Sequence, residues 1–273
     1  MTAQTAKTVL DQSPAPTRGP ERDGERPFAG GGTNRLWQWF IVGFVLFWLV
    51  VTSGAIFPLV VQGTEPDLTP AQRAQLRLLI LPCLAMVPLL VFLRFRWMVS
   101  LFLRNPVLIM LILWISLSII WSIDAETSAR RVLSFTANTL IAGYLVLHRD
   151  LAWLLKVLSW CMLILLLASL VFILLFPALG ALPGTSGLVR GLNGAFLHKN
   201  SMGETIVFSL IIFFAAYRTQ AVRKSISLGG YCLALALLVP TGAATSIVVA
   251  LIILALQIWL LTDRLSFELR ATL

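Results

Sequence analysis

Charged side chains are scarce in this chain: Asp, Glu, Lys and Arg make up 12% of its 273 residues, about half the share of a soluble domain. Histidine occurs twice and cysteine three times. Two histidines do not make a metal site. The nearest acidic pair, Asp124 and Glu126, has no third carboxylate or histidine beside it, so no metal is expected. Cys83, Cys161 and Cys232 all fall within apolar runs and read as small core residues, with no disulfide expected. The chain has no Asp-x-Asp triplet of the kind metal-dependent sugar transferases use, no Walker loop, no Gly-x-Ser-x-Gly elbow and no Gly-x-Gly-x-x-Gly turn. Nucleotide-driven chemistry and cofactors therefore find no support. Acidic residues are the scarcer sign, 12 against 21 Lys and Arg, for a net charge of +9. The cations lie between apolar runs, where membrane orientation accounts for them, so nucleic acid is not an expected partner.

What the chain has in abundance is apolar length. Hydrophobic residues make up 58% of it, in runs close to or above the roughly 20 helical residues that cross a hydrocarbon core. A backbone in lipid must satisfy its own hydrogen bonds, so such runs are helices. The expected fold is all-α, a polytopic transmembrane helix bundle of about eight spans. Residues 1–35, rich in Pro, Gly, Thr and charge, are expected to form a disordered cytoplasmic tail. Residues 36–262 form the helical domain and 263–273 a cytoplasmic end. The spans are read as Leu36–Val61, Leu78–Leu93, Pro106–Trp121, Val132–Leu147, Leu151–Phe176 and Met202–Tyr217, followed by Leu228–Leu261, which divides into two at Pro240–Ser246. Thr69-Pro70-Ala71-Gln72 has the form of a helix start, and Pro82 and Pro88 should kink the second span. Arg94–Asn105 reads as a basic connector, Ser122–Arg131 as a short polar link, and Pro177–Asn200 as the longest loop. Ser201 and Glu204 have capping-box spacing at the head of the sixth span.

With the tail inside, the outward cations are Arg73, Arg77, Arg130, Arg131, Arg190 and Lys199, which leaves 15 of the 21 on the cytoplasmic side, as the positive-inside rule favours. The outward cations call for a reason. One is a phosphate-bearing lipid head group, which guanidinium binds in a bidentate fork suited to a diphosphate. The other is simple anchoring of a helix end on membrane lipids. The segment Arg190–Gly203, RGLNGAFLHKNSMG, concentrates such groups between two spans. Histidine is the side chain most often used as a general base near neutral pH, and His198 there either takes that role or bonds a carbonyl or a lipid. Asn200 supports the site or only a turn, and Gly191, Gly194 and Gly203 serve loop geometry and close backbone approach.

RGLNGAFLHKNSMG resembles the O-antigen ligase and exopolysaccharide polymerase family of bacterial inner-membrane proteins, which show an RG…G.F.HKN..G stretch at the mouth of a middle span. Leu113–Phe135, LWISLSIIWSIDAETSARRVLSF, matches the family's W.S..WS.D…S.RR pattern upstream. Leu237–Ala250 falls where the family has a Ser/Thr-rich break between spans. The similarity covers roughly residues 106–262. It implies glycan transfer at the outer face of the cytoplasmic membrane, with a polyprenyl-diphosphate-linked glycan as donor, a second glycan as acceptor, inversion at the anomeric carbon, and neither metal nor nucleotide. Other polysaccharide-assembly membrane proteins are partners it suggests. Carried over by position, Arg131 and Arg190 contact the diphosphate, then Lys199 and Arg130, and His198 belongs to the catalytic site.

Two departures go with the resemblance. The family's break usually holds a basic residue after its Ser/Thr pair, and PTGAATS has none. Family members also continue into further spans and a large outward loop that carries their proposed catalytic His and an Arg. The expectation here is a chain without that loop, either a truncated product or a shortened relative that needs a partner. A small-solute transporter and a non-catalytic membrane fragment are the other two readings of the residues.

Overall fold

A computed structural model describes residues 35–55, 70–183, 189–196 and 198–272; along 181–190 and 263–272 it describes the backbone alone. The expected tail, the end of the first span, Thr69 and the side chain of Cys83 lie outside the described residues.

The described chain is helical apart from one small hairpin, in keeping with an all-α fold. Its elements are α1 (Arg35–Ser53), α2 (Pro70–Leu93), α3 (Phe95–Arg104), α4 (Pro106–Leu117), α5 (Ala125–His148), α6 (Leu151–Leu175), α7 (Pro177–Gly180), β1 (Ala181–Pro183), β2 (Val189–Leu192), α8 (Lys199–Thr219), α9 (Lys224–Thr241) and α10 (Ala244–Thr272). Proline opens α2, α4 and α7, at the position where its missing N–H has no intrahelical partner to lose.

Among the described residues five helices are long and apolar enough to cross a membrane: α1, α6, α8, α9 and the Ala244–Thr262 part of α10. They correspond to the first, fifth, sixth, seventh and eighth expected spans. Pro106–Trp121, α4 with the 3-10 turn that ends it, is apolar but shorter, and α5 is not among the five.

Several boundaries differ from the reading of the sequence. The basic connector Arg94–Asn105 is mostly helical: it holds α3, set at 89° to Ile80–Leu93. Pro82 and Pro88 lie within the continuous helix α2, and the sharp turn falls at Arg94. In α3 Met98 is buried whereas Trp97 and Leu103 are exposed. The link Ser122–Arg131 is mostly the start of α5, because Asp124 caps the helix by accepting from the Thr127 backbone N–H at 3.0 Å and from Thr127 Oγ1 at 2.6 Å. Those two bonds hold the exposed Asp124 carboxyl below its ordinary pKa.

Two apolar clusters meet across α6. One joins α6, α8, α9 and α10 through Met162, Leu166, Ile206, Leu210, Leu237 and Ala250. The other joins α1, α2, α3, α5 and α6 through Ile41, Leu90, Met98, Ile141, Tyr144 and Cys161. Helix α8 lies centrally in the first, packed on α6, α9 and α10. Gln257 of α10 ties that group by accepting from Tyr231 Oη of α9 and donating to the Leu210 carbonyl of α8 at 3.4 Å.

Candidate functional site

Pro177–Asn200 is folded, not an open loop. After α7 the chain makes an antiparallel two-stranded hairpin in which Ala181 faces Leu192, Leu182 faces Gly191 and Pro183 faces Val189. Arg190 is left over in that register and forms a β-bulge, a device that re-aims a strand beside functional sites. Its side chain lies outside the described residues. Asn193 closes the segment: its N–H and that of Gly194 donate to the Gly180 carbonyl at 3.0 and 3.1 Å, and its Nδ2 donates to the Phe196 carbonyl at 2.9 Å. Phe196 then enters the core with no exposed surface.

The hairpin rests on the break between the last two helices. A Cβ on Gly191, whose φ is +156°, would collide with the Thr241 carbonyl oxygen, so only glycine lets β2 sit there. The break itself follows from PTGAATS. Gly242 adopts φ 61° and ends α9 in the left-handed conformation. Buried Thr241 donates to the Leu238 carbonyl at 2.7 Å and accepts from the Ala243 N–H at 3.2 Å. From the other side comes the start of α8. Gly203 faces Ser246 of α10 so closely that a Cβ would overlap the Ser246 side chain, and a Cβ on Gly194, at φ +55°, would lie 2.8 Å from the Ser169 Cβ of α6.

Helix α8 starts earlier than the capping box at Ser201 predicts. Its N-cap is His198, whose Nδ1 accepts from the Asn200 N–H at 3.2 Å. Ser201 is already helical, and its carbonyl accepts from Thr205 Oγ1 at 2.9 Å. With Nδ1 accepting from the backbone, Nε2 is the ring nitrogen left to face other partners. Glu204, released from capping, is exposed and lines a cleft of about 260 Å³ with Asn200, Thr245 and Ser246. Lys199 extends from the same turn, and its Nζ donates to the Gly242 carbonyl at 3.4 Å. That carbonyl lies at the negative end of α9, so the break that has no cation of its own in sequence receives one in space.

The structure thus brings Gly191, Lys199, Asn200 and Gly203 to one place, the joint between α9 and α10, with His198 at its edge. Arg130 and Arg131 belong to the second turn of α5, whose main partners are α2, α3, α4 and α6, whereas the hairpin's are α7 and α9. Both arginines are exposed, and Arg130 is paired with Glu126 one turn earlier. Among the described residues no group of three His, Cys, Asp or Glu is placed to hold a metal ion. Cys161 and Cys232 are free thiols.

Sequence reasoning missed the cleft of Glu204, Thr245 and Ser246 and the Lys199–Gly242 contact. The available signal was Gly203, a glycine one turn into a helix, which marks a close neighbour rather than a bend. Comparison with protein-family models, with curated proteins and with solved structures finds no match.

Proposed function

We propose that this chain is a membrane glycan transferase of the O-antigen ligase or exopolysaccharide polymerase type, acting on a polyprenyl-diphosphate-linked glycan. The observation that carries the reading is the meeting of the HKN turn, the Arg190 hairpin and the PTGAATS break at one joint. These are two of the three stretches on which the resemblance rests, and the folded chain puts them in contact.

Eight crossings complete the proposed topology: the five long helices, the bent α2–α3 pair, α4 and α5. At about 1.5 Å per residue, the 16 residues of Pro106–Trp121 span roughly 24 Å, enough for a locally thinned bilayer. Only Arg149 and Asp150 separate α5 from α6. If both cross, the start of α5 with Arg130 and Arg131 faces the same side as the hairpin at the end of α6. Exposed Leu251, Ile252, Ile258 and Trp259 on α10 suit lipid, where a soluble surface would carry charge.

In this reading an acceptor hydroxyl attacks the anomeric carbon, the bond to the carrier diphosphate breaks, and the electron pair leaves on the diphosphate. Arg131, Arg190 and Lys199 stabilise that charge. Lys199 is already held at the joint, and His198 offers an Nε2–H to an oxygen there. The acceptor hydroxyl's proton passes to a base, and Glu204 is the nearest carboxylate in the cleft.

The test is a glycan ladder from a host that lacks its own polymerase and ligase and carries this chain. Arg131→Ala and Arg190→Ala should each cut ladder formation by about 100-fold or more at unchanged membrane abundance. Unaltered ladders in both variants would overturn the proposal. So would labelling of the Arg131→Cys and Arg190→Cys variants by an impermeant maleimide from opposite sides of the membrane.

A further inference from the structure

At the other end of α6, α8 and α9 the first turns of α6 meet the link from α8 to α9 around a cavity of about 650 Å³. Lys156, Arg223 and Lys224 line it, with Trp160 and Gln220, and no carboxylate is among the lining residues. Among the described residues none of the three cations is paired with an acid. Orientation in a membrane explains the sign of these side chains. It does not explain why cations from separate parts of the chain converge on one hollow, where mutual repulsion opposes them unless an anion sits between.

Gln220 adds a second observation. It is the one non-glycine residue with positive φ among the described residues, at 55°, and it ends α8 in the left-handed conformation. Glycine is the usual occupant of such a position because a side chain there is strained. Here a side chain is kept, it lines the cavity, and its amide is a hydrogen-bond donor.

We propose that this cavity is a binding site for a negatively charged phosphate group, from an anionic lipid head group or from soluble phosphate, separate from the joint between α9 and α10. Arg223 supplies a bidentate fork and Lys156 and Lys224 supply point charges. Gln220 donates its amide, and the indole of Trp160 forms part of the wall. The cavity has room for more than a bare phosphate. The proposal does not depend on the transferase reading.

The experiment uses the full chain purified in a neutral detergent, with thermal unfolding followed during titration with short-chain phosphatidylglycerol, short-chain phosphatidylcholine or inorganic phosphate. Phosphatidylglycerol should raise the midpoint, and zwitterionic phosphatidylcholine should not. A rise with inorganic phosphate alone assigns the site to a soluble source, and a rise with phosphatidylglycerol alone assigns it to lipid. Combined Lys156→Ala, Arg223→Ala and Lys224→Ala should weaken half-saturation by at least about tenfold. Gln220→Gly relieves the backbone, so it should fold at least as well as the parent yet bind about threefold more weakly. Equal response to both lipids with none to phosphate would overturn the proposal, as would full binding in either variant.

Discussion

The glycines of the two halves of the molecule answer to different neighbours. In the half built on α6, α8, α9 and α10, Gly191 abuts a backbone carbonyl, Gly203 abuts a serine of another helix, and Gly230 abuts the buried ring of Phe213. In the half built on α1 to α5, Gly43 has nothing within 4 Å of where a Cβ would be, and Gly143 meets only the flexible ends of Leu101 and Met98 at 3.2 and 3.3 Å. At those three positions of the first half the backbone approaches a neighbour and leaves no room for an added atom, although Gly229 of α9 has nothing within 4 Å. The second is assembled by large side chains, which can shift. Close backbone approach is therefore found at the candidate site, at Gly191 and Gly203, and again near the start of α9, at Gly230.

The largest expected effect is at Gly191. Gly191→Ala should cost about 3 kcal/mol or leave no folded protein, whereas Gly43→Ala should be neutral or stabilise α1 by up to about 1 kcal/mol. Unfolding midpoints in detergent measure both, and equal values would dissolve the contrast between the halves.

A middle-sized effect belongs to His148, at the end of α5 just beyond the expected fourth span. Its ring stacks on Tyr144 at 5.5 Å, meets the edge of Trp153 at 6.1 Å, and has no hydrogen-bond partner at either nitrogen among the described residues. Burial, with Arg94 and Arg149 nearby, lowers its pKa to about 4. The folded state therefore refuses a proton that the unfolded chain accepts below about pH 6.5. Stability from this residue is complete above that value and declines as pH falls toward 4. Unfolding midpoints between pH 7 and 4 should drop less steeply in His148→Phe than in the parent. Identical slopes would mean the ring is not held neutral.

The smallest effect separates structure from chemistry at the site. His198→Ala removes the cap of α8 and should cost about 1 kcal/mol, and His198→Asn should restore most of it, since asparagine caps well. If ladder formation is lost in both, the imidazole acts on substrate. If asparagine restores it, His198 only shapes the turn.

The apolar runs are legible in the sequence because period and length alone define a helix in lipid. Leu151–Phe176 and Pro106–Trp121 match helical segments to within a residue. The break at Pro240–Ser246 is legible because proline and glycine interrupt an otherwise uniform run. Polar segments mislead for one shared reason: polarity marks where a span ends, not where a helix ends. Thus α5 extends two turns past its apolar part behind an Asp124 cap, and α3 forms from a basic stretch that reads as a connector. The hairpin of Ala181–Leu192 carries no alternating apolar pattern, and its position is set by the carbonyl it meets on α9. Gly203 and Ser246 are far apart in sequence, so the cleft they help form can be read only from the folded chain.

Lys199 has one ammonium and two claims on it. At 3.4 Å the Gly242 carbonyl holds it loosely, and a phosphate oxygen would outbid a neutral carbonyl. An anion that arrives there would take the ammonium from the Gly242 carbonyl as it docks, and the elbow would keep the Thr241 bonds to Leu238 and Ala243.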